Sequence, residues 1–278
     1  MRATLGGTYM TPFICITCGT QFAPSDAPPA RCAICEDQRQ FVRWDGQAWT
    51  TIEALRAKYK LRFEQEDGGV TGIGIEPHFA IGQRALLVCT PGGNVLWDCI
   101  GLVDDEAVHQ VKALGGLAAI AISHPHYYTV MAEWSEAFGR APIYLHADDR
   151  EWVMRPHRSI RHWTGETHEL WPGSTLIRCG GHFAGGTVLH VAREAGGEGS
   201  LFAGDVIAVN MDRASVTFMY SYPNYIPLSA SSVRHIANIM EPWSFDKIFG
   251  AFARRNIMND GREVFERSVA RYLEAIGA

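Results

Sequence analysis

Residues 121–131 read AISHPHYYTVM and hold two histidines one residue apart, His124 and His126. They close the apolar run LAAIAIS, 117–123, which has the length and continuity of a strand buried on both faces. In an extended chain residues i and i+2 point the same way. A turn after the strand can therefore converge both imidazoles on one ion.

Two further strand-like runs end in similar chemistry. STLIRCGG, 174–181, leads into His182, which sits in the glycine-rich stretch Gly180-Gly181-His182-Phe183-Ala184-Gly185-Gly186. GSLFAGD, 199–205, ends in the carboxylate of Asp205. Taken singly, a histidine among glycines is a turn residue and a Gly-Asp pair is a cap. Three imidazoles and a carboxylate at separate strand ends are the donor set of a zinc or iron site.

The remaining chain alternates strands with helices. QFVRWDGQAW is expected to pair around Asp45-Gly46, and Thr50-Thr51-Ile52-Glu53 to open a helix to about Tyr59. Strands are expected in the Gly-rich segment from Gly69, in ALLVC and in VLWD, with a Pro-Gly-Gly turn between the last two. Asp104-Asp105-Glu106 place acidic groups at a helix start, and Gly115-Gly116 stop that helix. PIYLHA, TVLHVARE and KIFGAF read as further strands, and about 230–241 and 260–276 as helices. Such a pattern predicts layers of helices covering sheets.

At the N-terminus Cys15-Ile-Thr-Cys18 and Cys32-Ala-Ile-Cys35 form two CxxC turns. Two such turns can close a thiolate tetrahedron around zinc. Residues 1–45 are too poor in core residues to fold without such a staple. They are expected to form a small zinc-ribbon-like segment, structural in role and held by its four cysteines, preceding a domain over 46–278. Cys89, Cys99 and Cys179 lie in or beside apolar runs and read as small buried hydrophobes. Paired cysteines within an odd total of seven favour metal thiolates and a reducing, cytoplasmic setting over disulfides.

A net charge of −5 gives no footing for nucleic acid or an anionic membrane. No apolar run reaches the length of a membrane span, and the N-terminus does not read as a signal peptide. The partner expected is a small-molecule substrate.

With these motifs the sequence resembles the metallo-β-lactamase fold superfamily, from about residue 70 to the C-terminus. The marks are Trp97-Asp98, the HxH of His124 and His126, the GGH turn of His182 and the FxGD of Asp205. The resemblance implies an α/β, four-layer αββα sandwich with metals at one edge of two sheets. It implies that His124, His126 and His182 hold a first metal and that Asp205 is the bridging carboxylate. The usual motif continues as HxHxDH, but Tyr128 and Thr129 stand at its Asp and last His, and Phe252 stands where a final His belongs. The first metal's ligands are thus present and the private ligands of the second are replaced.

One zinc on three neutral imidazoles can lower the pKa of a bound water to about 7. Asp205 is then the candidate base, and Tyr128 a candidate donor to an oxyanion. The reaction implied is hydrolysis of an ester, thioester or lactone. Two other readings use the same residues: a mononuclear iron dioxygenase acting on a sulfur substrate, with His124, His182 and Asp205 as ligands, and a non-catalytic metal-stabilised scaffold. Tyr220, Tyr222 and Tyr225 lie in the aromatic stretch 210–230 after Asp205. They are candidate substrate contacts, or belong to ordinary loop packing or a homodimer surface. The cluster Arg155, His157, Arg158 and Arg161 reads equally as a site for an anion or as a solvated helix end.

Overall fold

A computed structural model describes residues 10–192 and 198–278. Two sheets carry the chain. The first has seven strands in the order Lys60–Asp67, Val70–Glu76, Ala85–Thr90, Gly93–Trp97, Ala119–Ala121, Ile143–His146 and Ile160–Trp163. Its first four strands pair antiparallel and its last three continue parallel. The second has six strands in the order Thr167–Trp171, Ser174–Arg178, Thr187–Val191, Gly199–Gly204, Phe245–Gly250 and Asn256–Ile257.

Side-chain alternation along the strands builds the layers. Leu86, Val88, Val95 and Trp97 of the first sheet meet Leu176, Leu189, Phe202 and Phe249 of the second. Phe202 and Phe249 are register partners on parallel strands, and their rings stack at 4.9 Å. The intervening residues Leu87, Leu96 and Ile120 turn the other way, against Ala107 and Val111 of the helix Asp105–Ala113. On the second sheet Ile177, Val188, Leu201 and Ile248 meet the helices Ala230–Met240 and Gly261–Ala275. Three apolar seams thus separate the four layers of an αββα sandwich. Among the described residues no helix is long and apolar enough to cross a membrane.

Local signals set the helix starts. Asp104 accepts from the Ala107 N–H at 2.7 Å, and Thr51 from the Ala54 N–H at 3.3 Å, opening the helix Ile52–Lys58. Elsewhere the structure departs from expectation. Asp45-Gly46 does turn, but no strand pair forms around it. Residues 40–48 are irregular, and Trp49–Thr50 pairs with Ile14–Cys15 instead. Lys60–Asp67 is a strand that its charged sequence hides, because only Leu61 and Phe63 pack on the core. Cys89 is exposed, while Cys99 and Cys179 are buried. The basic cluster is balanced locally: Arg155 pairs with Glu133, and His157 and Arg158 with Glu136.

The cysteine segment is stitched into the sandwich. Ile14 is fully buried in the first helix–sheet seam. The Gln21 N–H donates to the Thr129 carbonyl at 3.2 Å, and Asn224 donates to the carbonyls of Gln38 and Gln40 at 2.9 and 3.2 Å.

Candidate metal centre

His124 leaves the strand Ala119–Ala121 with an extended backbone, and the tight turn Pro125–Tyr127 follows at once. Proline suits the first position of that turn because its φ is already set and no N–H is lost. The turn swings His126 back, so its ring lies 5.0 Å from that of His124. His182 approaches from the second sheet, with ring distances of 4.8 Å to His124 and 5.2 Å to His126. One nitrogen from each of the three lies within 4.8 Å of the others.

The supports of these rings fix which nitrogens point inward. His182 Nδ1 lies 3.0 Å from the Met219 carbonyl and 2.9 Å from that of Tyr220. Carbonyls only accept, so Nδ1 carries the proton and Nε2 the lone pair. That Nε2 is 3.4 Å from His126 Nδ1. His124 Nδ1 is 2.9 Å from Ser123 Oγ, and its buried Nε2 has no hydrogen-bond partner among the described residues. A tetrahedral ion with bonds of about 2.0–2.1 Å to nitrogen has edges of ~3.4 Å. The residues therefore fit one ion. Burial holds all three imidazoles below their ordinary pKa, His182 at about 4, so each is neutral and its lone pair available at pH 7.

Two buried aspartates hold the turns that carry the ligands. Asp98 accepts from the Ser123 N–H at 2.7 Å, and Asp149 accepts from the Gly185 N–H at 2.8 Å. Burial pushes Asp98 up to about 8 and Asp149 to about 6. Glycine is required beside both turns. A Cβ on Gly204 would lie 2.6 Å from Ser123 Oγ, and one on Gly186 would lie 2.5 Å from the Gly180 carbonyl. Asp98→Ala leaves a buried N–H unpaired and frees the residue that orients His124. We expect a stability loss of about 1–3 kcal/mol and metal affinity at the histidines weaker by roughly 10–100-fold. Denaturant titration and a competitive chelator titration measure the two.

Asp205 is buried but is not drawn into the group of three imidazoles. It lines, with His126, a cavity of about 650 Å³ whose wall includes Tyr222, Phe252 and Ile81. Burial raises its carboxyl to about 7, against the pull of the nearby Arg255 guanidinium. Tyr222 lines the cavity, donates to the Asp205 carbonyl at 2.9 Å and meets the His182 ring. Tyr220 supports His182 through its carbonyl, while its hydroxyl donates to Gln38 at 3.4 Å. Tyr225 is 86% exposed and does not line the cavity. Tyr128 is buried in the helix–sheet seam, off the cavity wall, and burial keeps its phenol protonated.

The second metal-binding group is the cysteine quartet Cys15, Cys18, Cys32 and Cys35, all buried. Cys15 and Cys35 sulfurs are 3.6 Å apart, and those of Cys18 and Cys32 3.7 Å. These spacings exceed a disulfide and match the ~3.8 Å edge of a tetrahedron with metal–sulfur bonds of about 2.3 Å. The neighbouring thiols, Cys18 foremost, favour ionised Cys15, while burial holds Cys18 protonated and ionised Cys15 does the same to Cys35.

The two groups share a wall. The Gln83 side-chain amide donates to the Cys18 carbonyl at 3.1 Å and to the His126 carbonyl at 3.3 Å. Arg39 lies 3.9 Å from the Phe183 ring and donates to the His182 carbonyl at 3.3 Å. Ile16, Thr17, Arg39, Gln40, Phe41 and Arg43 all face the cavity. None of Gln83, Arg39 or Asp149 follows from the motifs, because each acts through backbone atoms of a distant turn.

No family model matches the sequence. Among solved structures, the metallo-β-lactamase DIM-1 superposes with a TM-score of 0.56 at 14% identity, over 78% of this chain and 99% of that one. FIM-1 from Pseudomonas aeruginosa, solved in a mono-zinc form, gives 0.55 at 15% identity, over 78% and 96%. A metallo-β-lactamase of Cronobacter sakazakii with a HARLDQ motif gives 0.51 at 17%, over 80% and 96%. At that identity the likeness is one of fold. A protein of Bacillus subtilis (strain 168), YmaE, is 48% identical over 268 residues, 96% of this chain and 97% of its own. With a metallo-β-lactamase fold, a four-cysteine cluster and a three-histidine group, the chain belongs to the family of YmaE.

Proposed function

We propose that the chain is a metal-dependent hydrolase with one zinc on His124, His126 and His182, acting on an ester, thioester or lactone, and a structural zinc on the four cysteines. The observation that carries this reading is the set of neutral imidazoles whose free nitrogens face one another beside a cavity. The mono-zinc form of FIM-1 supports the idea that one ion can be held on this fold.

The ion, when bound, supplies a water acidic enough to yield hydroxide near pH 7. The chain's own residues do the rest. The Met219 and Tyr220 carbonyls fix the tautomer of His182, and Ser123 orients His124. Asp205, a carboxyl poised near neutrality on the cavity wall, takes the proton of the attacking water and returns it to the leaving group. Tyr128 lies in the apolar seam and off the cavity wall, which supports reading Asp205 rather than Tyr128 as the acid–base group.

The test is hydrolysis of a panel of aryl esters, thioesters and lactones by wild type, His124→Ala and Asp205→Asn. Asp205→Asn should lose roughly 10²–10⁴ in kcat, the share of a general base. His124→Ala should lose at least as much. An unchanged rate in His124→Ala would show that the activity lies elsewhere, and no turnover by wild type of any member would favour a scaffold.

A further inference from the structure

Three guanidinium groups, of Arg39, Arg43 and Arg255, face the cavity beside His126 and Asp205. Two are already neutralised. Arg39 grips Asp37 with contacts of 2.5 and 2.9 Å, and Arg43 grips Asp45 with contacts of 2.8 and 2.6 Å. Arg255 is different. The residue is half-buried, its guanidinium lies 5.2 Å from the Phe252 ring and acts on the nearby Asp205 carboxyl only through space, and its side chain makes no hydrogen bond or ion pair among the described residues.

The position of Arg255 is well anchored. The Gly250 N–H donates to the Arg255 carbonyl at 3.0 Å, and the Arg255 N–H donates to the Phe252 carbonyl at 3.2 Å, closing the turn between the strands Phe245–Gly250 and Asn256–Ile257. Beneath it the buried Arg84 donates to the Gly250 carbonyl at 2.8 Å and to Asn256 at 2.6 Å, while pairing with Glu66 at 2.5 Å. A cation presented from a fixed turn into a cavity is preorganised for a ligand rather than for a partner in the fold. Phe252, under this cation, is the residue standing where the resemblance places a ligand of the second metal. The positive charge at that end of the cavity is a guanidinium.

We propose that Arg255 is an anion-recognition residue, and that the substrate is amphipathic. Its carboxylate or phosphate pairs with the Arg255 guanidinium, while its apolar body lies along Ile16, Ala80, Ile81 and Phe252. The planar guanidinium fork matches either oxyanion through two parallel hydrogen bonds. The substrate part of this inference rests on the hydrolase reading. The anion site itself does not.

Calorimetric titration with hexanoate, hexyl phosphate and hexanamide tests it. The proteins are wild type, Arg255→Gln, Arg255→Lys and His124→Ala/His182→Ala, each checked for folding by its melting transition. The charged probes should bind wild type roughly tenfold or more tightly than hexanamide, and Arg255→Gln should lose that preference. Arg255→Lys should keep part of it. The histidine variant should keep all of it, which separates Arg255 from a carboxylate held by the metal. The stronger of hexanoate and hexyl phosphate assigns the oxyanion. Equal binding of hexanamide, or a preference that survives Arg255→Gln or vanishes only in the histidine variant, overturns the proposal. Ester turnover that fails while charged probes still bind through Arg255 sinks the hydrolase reading alone.

Discussion

Replacing His124 and His182 together by alanine is expected to remove one metal ion per chain and to leave the cysteine-bound ion in place. The two groups are separate sets of donors, each gathered within 4.8 Å. The double variant leaves only the imidazole of His126, and one neutral ligand does not hold a divalent ion against water. Affinity at this site should fall by more than about 100-fold, beyond the loss that follows removal of an outer partner. Plasma mass spectrometry on wild type and variant reads the result. The retained ion also reports that the cysteine segment is still folded, so a misfolded variant is recognised by the loss of both. An identical metal content in the two proteins would show that the imidazole group holds none. Should the missing ion be iron, the dioxygenase reading would displace the hydrolase.

Removing the cysteine-bound ion is expected to cost more than the ion. Cys32→Ser/Cys35→Ser leaves two thiols, which cannot close the tetrahedron. The segment then loses the central staple of a stretch whose apolar cluster is the cysteines themselves with Ile34, packed against Phe22, Trp49, Trp152 and Met154. Its loss reaches the cavity, because Arg39, Gln40, Phe41 and Arg43 form part of the wall and Gln83 ties Cys18 to His126. We expect the melting temperature to fall by roughly 10 °C or more and trypsin to cut first between residues 24 and 45. Calorimetry and timed proteolysis with mass mapping measure both. A variant one ion poorer that melts within about 2 °C of wild type would show that the segment is held by its packing on the sandwich.

Much of the site was legible because its parts are local. LAAIAIS, LIRC and SLFAG announce buried strands, and His124, His126, His182 and Asp205 are the residues that follow them. The CxxC pairs are equally local: the spacing by itself turns two sulfurs toward one point. Helix starts at Thr51 and Asp104 were readable because a cap depends on the next three residues.

What failed to show in the sequence depends on partners far along the chain. Lys60–Asp67 is a strand because the Val70–Glu76 strand offers it a ladder, not because its own residues are strand-like. Cys89 shares a face with the buried Leu87 yet lies outside the core, because it stands near the end of the strand Ala85–Thr90 where the covering layer stops, a placement its apolar neighbours in sequence cannot tell. Tyr225 shares the aromatic loop with Tyr222, yet the loop brings Tyr222 to the cavity and leaves Tyr225 in solvent.

The sequence by itself determined the donors: which imidazoles, thiols and carboxylate stand at strand ends and turns, and hence the sandwich that gathers them. Only the tertiary structure decided how the site is charged and walled. Asp205 sits on the cavity wall outside the imidazole group, the Arg255 side chain faces the same cavity with no ion pair or hydrogen bond among the described residues, and the cysteine segment forms one side of the cavity. Donor identity is a property of residues and their near neighbours. Burial, pairing and enclosure are sums over contacts between segments that meet only when the two sheets close.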